Sequence, residues 1–294
     1  MQAPRPRTPR ERRSKVRESA MADEEVRHVS ETAPLAAGWR AMESERADAL
    51  FHDPLAAGLA GERGLRIARA LPDGAWVVAI RTVVIDAFVG SAISSGIDTI
   101  INIGAGLDTR PYRMELPQSL RWVEVDHPEV IERKVALLRD ETPRCAIERW
   151  GLDLTDGGAR KELFGRIGAT SARAMALTEG VIGYLTVDQV ASLADDLHAM
   201  PSCELWVTEY FSRRQLRRYQ ARQPMPAVPV RFDPTDLEGF FTSWGWSIEQ
   251  IRYLGEESRR LKRSIPLRST DRVMRAFTSR PLRDTGYVVL DRED

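Results

Sequence analysis

The stretch from Thr99 to Asp126 constrains the fold of this chain more than any other part of the sequence. An apolar run, Ile100–Ile103, leads directly into Gly104-Ala-Gly106, and a second short apolar run ends on Asp126, 20 residues after Gly106. This order is typical of a strand, a tight glycine turn, a helix and a second strand that ends in a carboxylate. Glycine has no Cβ, so the turn lets bare backbone approach a ligand, and the carboxylate can accept hydrogen bonds from two ribose hydroxyls. The stretch therefore predicts a site for a nucleoside-containing ligand, the alternative being a structural turn.

The loop after the two glycines favours one class of nucleoside ligand over another. A dinucleotide site would have a third small residue where this chain has Thr109, and a helix N-terminus facing a pyrophosphate. Asp108 instead places a carboxylate close to where phosphates would lie. An anion repels pyrophosphate but suits a cation, and S-adenosylmethionine carries a sulfonium and an ammonium and no phosphate. We therefore expect S-adenosylmethionine as the cofactor, with a nicotinamide dinucleotide as the weaker alternative.

From residue 99 onwards, apolar runs of strand length alternate with helical patterns, which include residues 128–138 and 187–200. Alternating units of this kind form a parallel sheet, and the last apolar run can close its edge as an antiparallel strand. The pattern predicts an α/β fold, a doubly wound Rossmann-like sheet of seven strands as in the class I methyltransferases. The predicted strands are Thr99–Ile103, Arg121–Val125, Ala146–Trp150, Ala174–Thr178, Leu205–Thr208, Trp246–Tyr253 and Gly286–Leu290.

Residues 21–98 are predicted to form an N-terminal helical cap on a ligand-binding domain of residues 99–294. Residues 43–51 have helix-forming composition, His52-Asp-Pro interrupts them, the helix resumes at Leu55, and residues 80–93 show apolar helical periodicity. The insertion between the fifth and sixth strands, residues 211–241, is rich in arginine and then in proline. Because ligands bind beyond the carboxyl ends of the strands, where this connection lies, we interpret it as a lid or substrate-recognition segment, or else as plain elaboration.

Charge and composition exclude several classes of function. The 294-residue chain has zero formal net charge, which gives no reason to expect nucleic acid or a membrane as a partner, and no apolar run approaches the roughly 18 residues of a membrane span. Two distant cysteines indicate a reducing, cytoplasmic location, and the four histidines show no metal-ligand spacing. Residues 1–20 carry seven basic and two acidic residues and three prolines, which predicts a disordered basic tail. This tail is either a solvated extension or the product of a start codon upstream of Met21, with a nucleic-acid or membrane role as a weaker alternative.

Four further positions carry candidate functional side chains. Asp153-Leu154 follow the third strand, where Asp153 can accept from an adenine amine and Leu154 can pack on the ring, unless Asp153 only caps a helix near Asp156. Glu179 ends the fourth strand, and because an unpaired buried charge is costly, a ligand sulfonium or ammonium is its expected partner. Tyr184 could turn its hydroxyl to a substrate or pack into the core.

The last of these candidates is Arg81, which is expected to open the helix before the first strand. A guanidinium at that place could hold the carboxylate of the methionyl group with two hydrogen bonds. Taken alone, however, an arginine at such a position is more often a surface cation.

The chain resembles the leucine carboxyl methyltransferase family, in its bacterial branch of S-adenosylmethionine-dependent and polyketide O-methyltransferases. The resemblance implies that Gly104 and Gly106 shape the binding loop. It also implies that Arg81 binds the carboxylate of the cofactor and that Glu179 lies on its methionyl side. Asp126 would then bind the ribose, and Asp153 and Leu154 would contact the adenine end. The matching segments are Ser30-Glu-Thr-Ala, Phe51-His-Asp-Pro-Leu-Ala, Arg81-Thr-Val-Val-Ile-Asp, Asn102-Ile-Gly-Ala-Gly-Leu-Asp-Thr-Arg, Val123-Glu-Val-Asp-His-Pro-Glu-Val, Asp153-Leu154, Glu179-Gly180 and Gly245-Trp246.

The expected reaction is in-line displacement at the sulfonium methyl by an oxygen of a small metabolite, such as a polyketide or a free carboxylate. A carboxylate is ionised near neutral pH and needs no general base, whereas a phenol benefits from one. No convincing base stands in the matched motifs, which favours a carboxylate or an acidic hydroxyl. The runner-up acceptor is the C-terminal carboxylate of a peptide or protein, held by arginines between Arg213 and Arg222. A cofactor-binding module without turnover is the alternative outside enzymology.

Overall fold

The predicted strands assemble into one mixed sheet in a computed structural model that describes residues 32–222, 229–263 and 283–293. The predicted tail, residues 1–20, lies outside the described residues. The order across the sheet is β3-β2-β1-β4-β5-β7-β6, so the α/β, Rossmann-like fold is confirmed. The strands are β1 Thr99–Ile103, β2 Arg121–Asp126, β3 Ala146–Gly151, β4 Ala174–Leu177, β5 Cys203–Phe211, β6 Trp246–Tyr253 and β7 Thr285–Arg292.

The strand order reverses beside β1, which positions the site. β1 pairs in parallel with both β2 and β4, and residue Ile101 lies opposite Val123 on one side and Ala176 on the other. In open α/β sheets, ligands bind beyond the carboxyl ends of the strands at such a reversal. The topology therefore places the ligand crevice above the Gly104 turn.

β7 is antiparallel, as predicted, but it does not close the edge of the sheet. It lies between β5 and β6 and is antiparallel to both, so that β6 is the edge strand. The residues explain the order: Gly286 to Leu290 are all buried, while Glu249 and Gln250 in the middle of β6 are exposed. A strand that is apolar on both faces belongs in the interior of a sheet.

The region before β1 is helical, with α1 Thr32–Ser44, α2 Ala56–Ala70 and α3 Asp73–Ser94. The prediction of a helix over residues 43–51 is wrong, because α1 ends at Ser44. Side chains at this end bond the returning chain instead: Leu50 N–H donates to Glu43 Oε1 at 2.8 Å, and Asp53 N–H donates to Ser44 Oγ at 2.9 Å. Local side-chain acceptors of this kind compete with helix hydrogen bonds.

Helix α3 corrects one expectation about membranes. Its residues Gly74–Ser94 have a mean hydropathy of 1.8, so by length and composition this helix could cross a membrane, and the expectation of no such run is wrong. Half of that stretch is buried inside the protein, where Ile80, Val84 and Phe88 join a core cluster with residues of the sheet. The apolar character of α3 is accounted for by this packing.

The remaining helices flank the sheet or connect its strands. On the face opposite α3, Phe164 and Leu193 pack against buried residues of the sheet such as Trp206. A capping box between Thr186 and Gln189 begins the helix after β4. These elements are α4 Arg110–Arg113, α5 Pro128–Leu137, α6 Gly157–Gly168, a 3-10 turn Ile182–Tyr184, α7 Val187–His198, α8 Arg213–Arg222, α9 Leu237–Thr242 and α10 Leu254–Arg260.

The predicted lid segment, 211–241, is partly described and partly packed. Residues 223–228 lie outside the described residues. Phe232 is buried with ring contacts to Phe240 and Phe241, and Arg231 N–H donates to Gly183 O at 2.8 Å. The segment therefore touches the 3-10 turn that ends at Tyr184, and its role as a lid stays a prediction.

Candidate active site

The predicted site residues come together around one cavity of about 250 Å³ at the carboxyl ends of the strands. Its wall combines the Gly104 turn, the ends of β2 and β4, the loop after β3, and helices α1 and α3. The sequence positions that it contains are Arg81, Gly104, Gly106, Asp126, Asp153, Leu154, Glu179 and Tyr184, which are all the residues proposed from the sequence.

The turn after β1 needs its glycines for two reasons. Gly104 has φ +69° and Gly106 has φ +45°, a left-handed conformation that other residues seldom adopt. A Cβ on Gly104 would also clash with the side chain of Val181, and one on Gly106 would lie 3.2 Å from Ala33 Cβ. The turn is thus both conformationally and sterically restricted to glycine.

Asp126 is held by backbone donors at the end of β2. Its Oδ2 accepts from Gly106 N–H and its Oδ1 from His127 N–H, both at 2.7 Å. Each carboxylate oxygen has a further lone pair, and the side chain is only partly buried. The geometry leaves Asp126 able to accept from two adjacent hydroxyls, as its predicted ribose role requires.

Asp153 and Leu154 follow β3 at the other end of the cavity. Asp153 Oδ1 accepts from Thr155 N–H and Oγ1–H, both at 2.8 Å, and these bonds lower the pKa of the Asp153 carboxyl. Its alternative role as a helix cap is wrong, because α6 is capped by Asp156. Leu154 is half-buried and keeps one face toward the cavity.

Glu179 already has arginine partners within the chain, so a ligand cation would be an additional partner of this carboxylate and not the only one. Arg81 Nε lies 2.6 Å from Glu179 Oε1, and Arg110 Nη1 donates to Glu179 Oε2 at 2.7 Å. Burial opposes ionisation, but Arg110 and Arg81 outweigh it and keep the pKa of Glu179 below its usual value. Glu179 is therefore a stable carboxylate at neutral pH.

Arg81 is neither at the opening of a helix nor a surface cation. It lies in the middle of α3, which begins at Asp73, and 18% of its side chain is exposed. Burial disfavours its charge, yet Glu179 and the nearby Tyr287 and Glu209 raise the pKa of Arg81. A fixed guanidinium beside a fixed carboxylate is thus part of the cavity wall.

The most important residue that the sequence argument missed is Arg110. Its side chain is 2% exposed and it contacts three carboxylates, Asp86 at 2.7 Å, Asp108 at 2.8 Å and Glu179 at 2.7 Å. Asp108 also accepts from Asn102 Nδ2 at 2.8 Å, so it is not a free anion facing the ligand. The sequence does contain a signal for Arg110, because this residue ends the motif that begins at Asn102.

A second unforeseen network braces the loop before α4. Arg40 in α1 donates to Asp53 Oδ2 at 2.8 Å and to Leu107 O at 2.6 Å. Thr109 Oγ1 donates to the same oxygen of Asp53 at 2.6 Å. These buried bonds fasten the helices before the sheet to the loop that shapes the cavity.

Tyr184 packs against the core and also lines the cavity. It is half-buried and packs against the cluster of Leu35, Ile67 and Ala68 from α1 and α2, and it also lines the cavity. Its packing holds the ring in place at the end of the cavity formed by α1 and the 3-10 turn. Its role toward a substrate stays a prediction.

A second cavity of about 540 Å³ adjoins the first between α1, α2 and α5. The two share Ala33, Leu107, His127 and Val130 as wall residues, and the second adds mainly small and apolar residues with Arg63, Glu129 and Arg133. Among the described residues, no group of three or more His, Cys, Asp or Glu side chains could hold a metal ion.

Comparison with known proteins identifies the family to which the protein with this cavity belongs. Residues 33–198 match the model of the leucine carboxyl methyltransferase family, and this match includes all eight predicted site residues. The chain belongs to the leucine carboxyl methyltransferase family. It is an S-adenosylmethionine-dependent methyltransferase, and the resemblance predicted from its motifs is confirmed.

Two bacterial relatives carry names that assign them to the S-adenosyl-L-methionine-dependent methyltransferases. One from Streptomyces avermitilis is 32% identical over 255 residues, which are 78% of this chain and 88% of that protein. One from Frankia alni is 28% identical over 230 residues, 71% of this chain and 79% of that protein. The nicotinamide alternative is therefore not supported.

Two solved structures confirm the fold at low sequence identity. A DUF574 family protein from Streptomyces avermitilis superposes with a TM-score of 0.52 at 16% identity, covering 88% of this chain and 97% of that chain. A methyltransferase structure from Thermobifida fusca also gives 0.52 at 16%, covering 80% and 90%.

The cavity suits the chemical groups of the cofactor. Arg81 and Glu179 place a guanidinium beside a carboxylate, which is the complement of an amino-acid zwitterion. Asp126 offers acceptors fixed by the Gly104 turn, and that turn is clear of any Cβ. Separate residues are thus available for the methionyl group and the ribose.

Proposed function

We propose that this enzyme is an O-methyltransferase that acts on a small metabolite. The acceptor atom is a carboxylate oxygen or an acidic hydroxyl, as in a polyketide or another product of secondary metabolism. One observation carries the proposal: each carboxylate in the cavity wall is already bonded to an arginine or to backbone N–H groups. Ion pairs and hydrogen bonds of this kind favour the charged form of a carboxyl group.

The low pKa values of three of these acids favour an acceptor that needs no general base. The pKa values of Asp108, Asp153 and Glu179 all lie below their ordinary values. A general base acts best when its pKa lies near the working pH, so none of the three suits deprotonation of an ordinary phenol. An acceptor that is anionic before it binds requires only positioning.

We assign the binding of the cofactor to residues that form three groups in the wall. Arg81 would hold its carboxylate and Glu179 its ammonium, Asp126 its ribose hydroxyls, and Asp153 with Leu154 its adenine. When bound, S-adenosylmethionine supplies an electrophilic methyl carbon on its sulfonium. The chain's contribution is to fix this geometry, since correct orientation of two reactants can supply several kcal/mol of a barrier.

Tyr184 is the residue we propose to position the acceptor. Its ring is fixed by packing against α1 and α2, and it lies on the same cavity as Arg81 and Glu179. The phenol can donate a hydrogen bond to an anionic acceptor oxygen without removing a proton from it. The neighbouring 540 Å³ cavity offers room for the rest of a metabolite.

We further place the enzyme in the cytoplasm, without a nucleic-acid or membrane partner.

The proposal is tested by methyl transfer from S-adenosylmethionine labelled in its methyl group. The acceptor panel pairs carboxylic acids with their amides, acidic enols with their methyl ethers, and free amino acids with peptides. We expect label in acids or enols of small molecules, and release of volatile methanol by mild alkali where the product is an ester. Transfer to nitrogen or carbon, or to peptide C-termini alone, would contradict the proposal.

Matched variants separate the acceptor site from the cofactor site. Tyr184→Phe is expected to raise the KM for the acceptor and lower kcat while leaving the cofactor Kd unchanged. Arg81→Ala is expected to weaken the cofactor instead. If Tyr184→Phe leaves both acceptor parameters unchanged, the positioning role is wrong even where methyl transfer is found.

A further inference from the structure

Glu209 is a buried acid next to the cavity, and it has no part in the proposed binding of the cofactor or the acceptor. It lies near the carboxyl end of β5, and the residue is 4% exposed. Its Oε1 accepts from Gly180 N–H, and within the described part of the chain its Oε2 is buried without a hydrogen-bond partner. A buried carboxylate normally has partners for both oxygens, so this half-satisfied group needs an explanation.

The position of Glu209 is directly behind the proposed methionyl end. Gly180, which receives its hydrogen bond, follows Glu179 and lines the cavity with φ +71°. A Cβ on Gly180 would lie 3.4 Å from Arg81 Nη1 and 3.9 Å from Glu209 Oε1. A single glycine therefore separates Glu209 from the cavity, on the side where Arg81 is found.

The charged and titratable groups that face Glu209 come from three elements. They are Arg81 of α3, Glu179 at the end of β4, and Tyr287, its opposite residue in β7. Burial is the main reason that the pKa of Glu209 rises to about 8; Arg81 opposes the rise and Glu179 adds to it. Because Arg81 is engaged with Glu179 at 2.6 Å, no described residue provides a separate countercharge for Glu209.

We propose that Glu209 distinguishes the cationic methyl donor from its neutral, demethylated product by releasing a proton to solvent when the donor binds. Glu209 acts through Arg81 and Gly180 and is a positioning residue, not a catalytic one. The inference rests on the proposed placement of the methionyl group at Arg81 and Glu179.

The charges of the two ligands give the direction of the effect. Donor and product share an ammonium and a carboxylate, which cancel, so the donor has a net charge of +1 and the product has none. An ammonium bound at Glu179 relieves the repulsion between Glu179 and Glu209 for both ligands, whereas only the donor adds a sulfonium. A nearby cation favours the charged form of a carboxyl. The donor therefore ionises Glu209 more completely than the product does.

The proton is counted by calorimetric titration at pH 7 in two buffers with different ionisation enthalpies. For the wild type, we expect the donor to release a large fraction of one proton, because a carboxyl with a pKa of about 8 is mostly protonated there. We expect the product S-adenosylhomocysteine to release clearly less. The amino group of each ligand can also exchange a proton on binding, and the sulfonium of the donor makes its amine titrate differently from that of the product, which is why a matched variant is needed.

Glu209→Gln is the matched variant, since it keeps the shape and the acceptor for Gly180 N–H but cannot ionise. We expect it to lose the extra proton release with the donor while the proton exchange of the ligand amine remains. Between pH 6.5 and 8.5, the ratio of product Kd to donor Kd should rise severalfold more in the wild type than in the variant. Glu204→Gln, on the same strand and paired with Arg173 at 2.6 Å, should behave as wild type.

Equal proton release for donor and product in the wild type would overturn the inference without any variant, so it stays testable if Glu209→Gln does not fold. A Kd ratio that rises equally in Glu209→Gln would overturn it too. Neither measurement involves an acceptor. Failure of the proposed methyl transfer in the acceptor panel is therefore a separate result.

Discussion

Replacing Arg110 by methionine tests how the cavity is built, because this guanidinium holds three carboxylates at once. It lies 2.7 Å from Asp86, 2.8 Å from Asp108 and 2.7 Å from Glu179, with 2% of its side chain exposed. Methionine keeps much of the length and apolar stem of arginine but removes the charge. The variant leaves the carboxylates in place with one shared partner missing.

The size of the effect follows from the burial of the acids that lose this partner. Asp108 and Glu179 are 13% and 14% exposed in their side chains. Removing one member of a buried ion pair costs about 3–5 kcal/mol, because the other charge stays buried without compensation. At about 2–4 °C per kcal/mol for a large domain, the melting temperature should fall by roughly 6–20 °C.

The loss of stability in Arg110→Met should depend on pH in a definite direction. Against the opposing effect of burial, Arg110 helps to keep the pKa values of both Asp108 and Glu179 below their ordinary values. A lowered folded pKa stabilises the protein above the unfolded value, about 4, and this contribution is lost as the pH falls through the folded value. The difference between wild type and Arg110→Met should therefore be largest near pH 7 and shrink below pH 4.

Chemical denaturation between pH 3 and 8 measures the free energy of unfolding and its dependence on pH, and thermal unfolding measures the melting temperature. The control is Arg139→Met, whose ion pair with Asp140 is exposed at 77% and 84% and should contribute less than about 1 kcal/mol. A loss for Arg110→Met no larger than for this control would refute the argument. So would a large loss that does not change with pH, because that would indicate packing and not charge.

Four further substitutions test the cavity wall. Gly104→Ala should destabilise the fold by more than the 1–2 kcal/mol of a left-handed residue, since Val181 must also move, and thermal unfolding will measure it. Arg81→Ala should weaken S-adenosylmethionine at least tenfold by calorimetry, and an unchanged Kd would contradict its assignment. Asp126→Ala should weaken the cofactor about 10- to 150-fold, from hydrogen bonds to a charged group worth about 1.5–3 kcal/mol. Tyr184→Phe should change acceptor kinetics and leave that Kd unchanged.

The strands were predictable because their periodicity and their burial agree. β1 and β6 have the predicted bounds, and β2 differs only by including Asp126. The order of β6 and β7 was less accessible, because both runs are apolar enough for a strand. Only the contrast between the exposed Glu249 and the buried Val289 places β6 at the edge, and such a contrast is small in a single sequence.

The site residues were predictable where local order creates the site, and not where distant segments meet. Gly104, Gly106 and Asp126 are linked by one strand–turn–strand unit, and their geometry follows from it. Asp86 and Arg110 are 24 residues apart and Arg110 and Glu179 are 69 apart, so their contacts depend on packing between elements. A sequence shows that such residues are charged but not which of them pair.

The preference for a cation also has a different origin from the one that the sequence suggested. Asp108 was expected to repel phosphate as a free anion, but it is paired with Arg110. The cavity wall contains four arginines and four carboxylates, which balance. Asp53 and Asp86 lie directly behind that wall, bonded to Arg40 and Arg110. The local excess of negative charge thus comes from acids behind the surface, which a ligand never touches. It favours a ligand of net charge +1 over a pyrophosphate, because Coulomb interactions in a poorly hydrated interior extend beyond direct contact.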